Sequence, residues 1–356
     1  MDFIGSSADG EFFAAANTEV GFVCYFDELF YSDNIGRRYI IKGGPGTGKS
    51  TLMRRIAERA RSAGRDVCTF YCSSDTSSLD GIIIDGRIAV LDGTAPHTAD
   101  TRLPGARDEI INLGGYWDSA LLRAKEKELL ALAKGKKDAY SLAYNYLFAA
   151  GATERALTDM IGECVKSEKM SASVDRLCER CFEGRKKGRG EVLHRQVSAF
   201  GVYGNVHLHT LYDAADTRYA LIDHYGTARL YMAELLRCAL ESGQRVAVSH
   251  NAVCTSVPDE MYFPDTGALV YVCGGEYDEN DIKINMKRFT DASAVARLRG
   301  YYRAAHRAGE VLCEIAQRQL TRAGELHAES EKIYVSAMDF DALREYTDRI
   351  IDRIIE

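Results

Sequence analysis

The run Gly43-Gly44-Pro45-Gly46-Thr47-Gly48-Lys49-Ser50-Thr51 has the spacing G-x-x-x-x-G-K-[ST], by which a backbone loop takes hold of a phosphate chain. Its glycines let successive N–H groups converge on one anion. Lys49 offers a point charge to the terminal phosphates, and the Ser50 hydroxyl is placed to hold Mg²⁺. A helix starting at this point adds its positive end to the same anion site. The expected ligands are ATP and Mg²⁺, contacted by the whole stretch from Gly43 to Thr51.

Such chemistry needs a carboxylate at the end of a neighbouring buried strand. Ile88-Ala89-Val90-Leu91-Asp92 fits, so Asp92 joins Ser50 as the expected metal pair. Gly93 stands where many ATPases carry a catalytic glutamate. The residue that orients the attacking group must then lie elsewhere, and the loop Cys72–Asp80 offers Asp75 and Asp80. Asp80 recurs later as Asp259, which points to a turn role, whereas Cys254 replaces Asp75. Asp75 is therefore the expected catalytic residue beside Lys49 and Asp92. His97 could contact a γ-phosphate, and Arg102 or Arg107 could supply charge in the transition state. Nothing in the sequence selects between the two arginines.

The elements that must position these groups are readable around them. Arg38–Ile41 reads as a short buried strand. Leu52, Met53, Ile56, Ala57 and Ala60 recur at helical spacing, and Gly64 is placed to stop the helix. The pattern then repeats. Arg38-Tyr39 returns as Arg218-Tyr219 and Gly46-Thr47 as Gly226-Thr227; after a one-residue slip, Gly64 matches Gly243, Val67 Val246 and Asp80 Asp259. On this alignment Ala228, Arg229 and Leu230 stand opposite Gly48, Lys49 and Ser50, and Leu269–Cys273 has no acid. The second copy reads as a pseudo-site.

Helical periodicity follows each copy, over Ala156–Val165 and Leu343–Ile355. The pair Cys178-x-x-Cys181 lies on an apolar helical stripe with Val174, Leu177 and Phe182, so it reads as core rather than as a metal site. The aromatic-rich stretch Phe12–Phe22 likewise reads as packing. The expected fold is α/β: two P-loop NTPase-like units with mainly parallel sheets, each followed by a helical segment. The expected boundaries are a first unit at 1–183, a basic glycine-rich linker at 184–193 and a degenerate unit at 194–356.

Composition narrows the function classes. The chain has 356 residues, 46% hydrophobic and 27% charged, with a net charge of -7. An acidic balance disfavours sequence-independent binding to nucleic acid. The sequence holds no apolar run long enough to span a membrane and no signal-peptide pattern at its start. Ten scattered cysteines without a disulfide framework fit a cytoplasmic setting.

The strings GGPGTGKST, YCSSDTSSLDG, VLDGTAPH and LPGARDEIINLGGYWD together resemble a family of bacterial proteins with tandem P-loop ATPase halves. The similarity spans the chain and is strongest from Phe12 to Trp117. It implies ATP binding and hydrolysis but names no substrate, and the chain departs from the family's second loop at Ala228, Arg229 and Leu230. Three readings follow. The first is an Mg²⁺-dependent ATPase with one active site, in the amino-terminal half. The second is a small-molecule or nucleotide kinase in which Asp75 orients an acceptor hydroxyl. The third is an ATP-dependent binding switch with negligible turnover. The expected partners are ATP and an unidentified protein or small molecule.

Overall fold

The structure, a computed structural model, describes residues 10–95, 99–275 and 277–356. The first half runs β1 (Gly10–Phe13), β2 (Ala15–Thr18), β3 (Gly21–Cys24), α1 (Phe26–Phe30), β4 (Arg37–Lys42), α2 (Lys49–Ser62), β5 (Val67–Tyr71), β6 (Leu79–Ile84), β7 (Ile88–Asp92) and β8 (Asp108–Asn112). Helices α3 (Ser119–Ala124), α4 (Glu126–Gly162) and α5 (Ser167–Cys181) complete it. The second half repeats the order as β9 (Glu191–His194), β10 (Ser198–Gly201), β11 (Gly204–His207), α6 (Thr210–Asp213), β12 (Thr217–Ile222), α7 (Thr227–Glu241), β13 (Arg245–His250), β14 (Pro258–Phe263), β15 (Ala268–Cys273) and β16 (Ile282–Asn285). It ends with α8 (Ala292–Ser336) and α9 (Phe340–Ile355).

The two sheets have the same topology. Six strands lie in the order β1-β5-β6-β7-β4-β8, and six in the matching order β9-β13-β14-β15-β12-β16. In each sheet one strand, β6 or β14, runs against both its neighbours, and the remaining pairings are parallel. The fold is therefore α/β with two similar units, as the repeated pattern predicts. The repeat extends well beyond the 45 or so residues in which it is legible.

Alternation along the strands sorts the core into layers. Ile40, Cys68, Phe70, Ile83, Ala89 and Leu91 from the first sheet join Ala247, Tyr262 and Leu269 from the second in one shared core. The opposite face of the first sheet, with Tyr39, Ile41, Ile82 and Val90, packs on α2. That face also receives Leu343, Ile350, Ile351 and Ile354 of α9, a helix belonging to the other half. The exchange is mutual, because Met170, Val174, Leu177 and Cys181 of α5 pack with α7 on the second sheet. Cys178 is half-buried against this same core.

The helical segments thus do not stay with the unit that precedes them. The crossings are held by backbone hydrogen bonds in matching pairs. Asp118 N–H donates to Ala337 O at 2.8 Å, and Asp291 N–H to Cys164 O at 2.9 Å. Asp339 N–H donates to Tyr116 O at 2.8 Å, and Lys166 N–H to Phe289 O at 2.7 Å. Between the crossings α4 and α8 lie along each other. Within the described residues no helix is long and apolar enough to cross a membrane.

Candidate functional site

Parallel pairing of β4 with β7 sets Ile41 beside Asp92, so the glycine loop and the acid emerge at the same sheet edge. Gly48 caps α2 in the left-handed conformation, φ +85°, which a side chain would strain. The turn throws Lys49 back over the loop, where its Nζ donates to Gly44 O at 2.9 Å and Gly43 O at 3.2 Å. The same Nζ stands 3.7 Å from Asp92 Oδ2. Thr47 Oγ1 donates to Gly44 O at 2.9 Å and braces the loop from inside.

Asp92 is held by Thr94, whose N–H and hydroxyl both donate to Oδ1, at 2.8 and 2.6 Å. Burial pushes its pKa up, with the nearby charge of Asp80 adding to the rise, while Lys49 and Thr94 work the other way. Asp80 is the residue that sequence reasoning assigned to a turn. It lies on β6, and the antiparallel pair Gly81–Leu91 makes Asp80 and Asp92 the next residues outward on adjacent strands. Asp80 is 4% exposed, so the register brings a second buried carboxylate to the site.

Ser50 Oγ accepts from Leu79 N–H at 3.1 Å and from Arg54 Nη1 at 2.7 Å. A metal ligated there must displace Arg54. Among the described residues no group of three or more His, Cys, Asp or Glu side chains could cage a metal. The donor set fits Mg²⁺ in a different way, since that ion takes one or two carboxylates and fills its shell with phosphate oxygens and water. Ser50, Asp92 and Asp80 supply that much.

Asp75 braces its own loop, with Oδ1 accepting Ser77 N–H at 2.9 Å. Arg102 is committed to Asp27 at 2.6 Å and stacks 4.0 Å from the Tyr31 ring centre. Arg107 contributes its carbonyl to Arg38 N–H at 2.8 Å. His97 lies outside the described residues. Phe12 and Phe13 are each 1% exposed and belong to the core.

The roof of the site comes from far along the chain. Tyr334, Val335 and Glu331 at the end of α8 sit against Gly44 and Gly46, so a Cβ on Gly44 would meet the Tyr334 ring at 2.8 Å. Lys136 and Tyr140 of α4 and His327 of α8 lie beside them, with Lys136 Nζ 3.4 Å from His327 Nδ1. The packed atoms around the His327 ring, then Lys136 and Lys49, push its pKa down to about 4. None of these roof residues was singled out from the sequence. Their helical spacing signals only a packed face.

The second copy carries a shorter loop. Residues 223–225 separate β12 from the capping Gly226, φ +80°, where residues 43–47 precede Gly48. Gly226 thus caps its helix as Gly48 does, one position earlier in the register of the two helices. The buried faces of the helices align Leu52, Met53, Ile56 and Ala60 with Tyr231, Met232, Leu235 and Ala239. By that register Ala228 stands opposite Lys49 and Arg229 opposite Ser50, one position away from the alignment read off the sequence. The cause is loop length, which a pair of matching residues cannot report.

Asp223 fills the shortened loop. Its Oδ1 accepts the N–H groups of His224 (2.8 Å), Tyr225 (3.2 Å) and Thr227 (3.2 Å), and its Oδ2 that of Ala228 (3.0 Å). This carboxylate takes the donors that a phosphate takes in an intact loop. Arg229, opposite Ser50 in the helix register, reaches Glu154 at 3.3 Å and lies within electrostatic reach of Asp259. Anion and cation are both supplied by the chain itself.

A family model described as Nephrocystin 3, N-terminal, matches residues 26–83, from α1 through the glycine loop to β6. No curated protein and no solved structure matches the chain.

Proposed function

We propose that the chain binds Mg²⁺·ATP at Gly43–Thr51 and hydrolyses it, with one working site and a second loop closed by Asp223. The observation that carries this reading is the convergence at one sheet edge of Lys49, Ser50, Asp92 and Asp80 around a loop turned by a left-handed Gly48. The sequence resemblance to tandem P-loop ATPases supports it. In this reading Ser50 and the two carboxylates would hold the metal ion, which would supply positive charge to the phosphoryl group. Lys49 grips the terminal phosphates, and α8 shields the loop from water through Tyr334.

A second reading is favoured by one contact. The end of α8 lies directly on Gly44 and Gly46, so a nucleotide in the loop must bear on the α4–α8 pair. An ATP-dependent switch, with turnover slow or absent, uses that contact as its output. Phosphate release from ATP by purified chain, with and without Lys49→Ala, separates the readings. Steady turnover lost in the variant supports the hydrolase. Binding without turnover supports the switch, and no binding in the wild type removes both.

A further inference from the structure

The α4 side chains Lys136, Tyr140 and Tyr144 recur every fourth residue and share one helix face. Tyr144 O–H donates to Asn17 Oδ1 at 2.8 Å, and Asn17 Nδ2 donates to Ser74 Oγ at 3.2 Å. This stripe therefore runs along the loop that bears Asp75. At one end Lys136 Nζ meets His327 Nδ1 at 3.4 Å. No ion pair joins Lys136 to a carboxylate among the described residues. We propose that Lys136 is the second cation on the terminal phosphate of the triphosphate held at Gly43–Thr51, delivered from α4 within the same chain. The inference rests on the nucleotide reading above and adds a specificity to it: preference for three phosphates over two.

Two further observations support this assignment. Burial, then the charge of Lys49, lowers the pKa of Lys136, so two ammonium groups approach each other at a place that an anion would stabilise. His327, largely neutral at pH 7, can accept a hydrogen bond from Lys136 Nζ and leave the other ammonium donors directed at the ligand.

The second half gives an internal comparison. The helix caps Asp118 and Asp291 correspond, and their numbers set an offset of 173 residues. By that offset Lys136 corresponds to Gly309 and Glu154 to His327, and a Cβ on Gly309 would stand 3.8 Å from Glu154 Oε1. Where the loop is filled by Asp223, these two positions carry an acid and a glycine. Where the loop is intact, they carry a lysine and a neutral histidine. The charge over each loop follows what the loop can hold.

The test is equilibrium binding of Mg²⁺·ATP and Mg²⁺·ADP to the full chain, as wild type and as Lys49→Ala, Lys136→Met and Lys136→Arg. Methionine keeps the aliphatic stem and its packing while removing the charge. Lys136→Met is expected to weaken ATP by about ten-fold or more and ADP by no more than about two-fold, with Lys136→Arg retaining most of the preference. Equal weakening of both nucleotides, or no change in either, overturns the assignment. If Lys49→Ala abolishes binding while Lys136→Met matches wild type, the nucleotide site stands and only Lys136 is wrong. Wild-type chain that binds neither nucleotide brings down both.

Discussion

Lys49 Nζ stands 3.7 Å from Asp92 Oδ2, with the two side chains only 13% and 17% exposed. In the proposed reading, a lysine that reaches back over its own loop to an acid on the neighbouring strand marks where a γ-phosphate and a metal would share space. Asp92→Asn is expected to lower turnover by about 100-fold or more while leaving metal-free ATP binding near wild type. Phosphate release and binding measured on the same preparation check this.

The same substitution has a consequence for folding. Burial raises the Asp92 pKa above its unfolded value, so the folded state holds the proton more tightly. Its stabilising contribution is present below the unfolded pKa and is lost as pH rises through the folded one. At neutral pH the ionised carboxylate is a burden on the fold, and Asp92→Asn should raise the melting temperature as it removes turnover. A fall in both quantities contradicts this account.

Asp80 stands next to Asp92 across the antiparallel pairing, whereas Asp75 is engaged in its own turn. Asp80→Asn should therefore raise the Mg²⁺ concentration needed for half-maximal turnover, and Asp75→Asn should leave it near wild type. A magnesium titration of the two variants distinguishes a metal-holding from a turn-bracing aspartate.

Four backbone N–H groups converge on Asp223. Asp223→Ala leaves them without an acceptor and should destabilise the chain by about 1–3 kcal/mol. Sulfate or phosphate should restore part of the loss, more than it changes the wild type. Thermal melting across an anion titration reads this directly.

Three histidines should titrate in two well-separated ranges. His207 is raised above 6.5, first by its bond to Glu260, while burial holds His250 at about 4 with neighbouring His194 adding to the shift. His327 also lies at about 4. The His207 contribution to stability is present below its unfolded pKa and fades as pH rises through the raised value. The His250 contribution is present above 6.5 and is lost as pH falls toward 4. Imidazole proton shifts followed by NMR give each value.

How much of this was legible in the sequence depends on how far apart the contacting residues lie. The stretch from Arg38 to Asp92 builds strand, loop, helix and acid from neighbours, so residue spacing specified its local fold and brought Lys49 and Asp92 together. Asp80 was weighed and set aside as a turn residue, because its place beside Asp92 comes from strand register, which is set by pairing with β7. Lys136 and His327 meet across 191 positions, and no local pattern announces such a meeting. The exchange of α5 and α9 was hidden for the same reason, since an amphipathic helix shows that it has an apolar face but not which sheet will cover it. Asp223 was missed because matching Gly226-Thr227 to Gly46-Thr47 overlooked a change in loop length.

That exchange gives the chain the character of a clasped dimer whose subunits share one backbone. Each half, made alone, leaves one sheet face short of a helix that only another copy can provide. The segment at 182–190 between α5 and β9 makes the clasp intramolecular, at an effective concentration on the order of millimolar. Proteolytic cutting there should leave two fragments that migrate together, and the first half expressed by itself should pair with itself. The linker's contribution is then stoichiometry: it guarantees that every intact loop is matched with one closed loop.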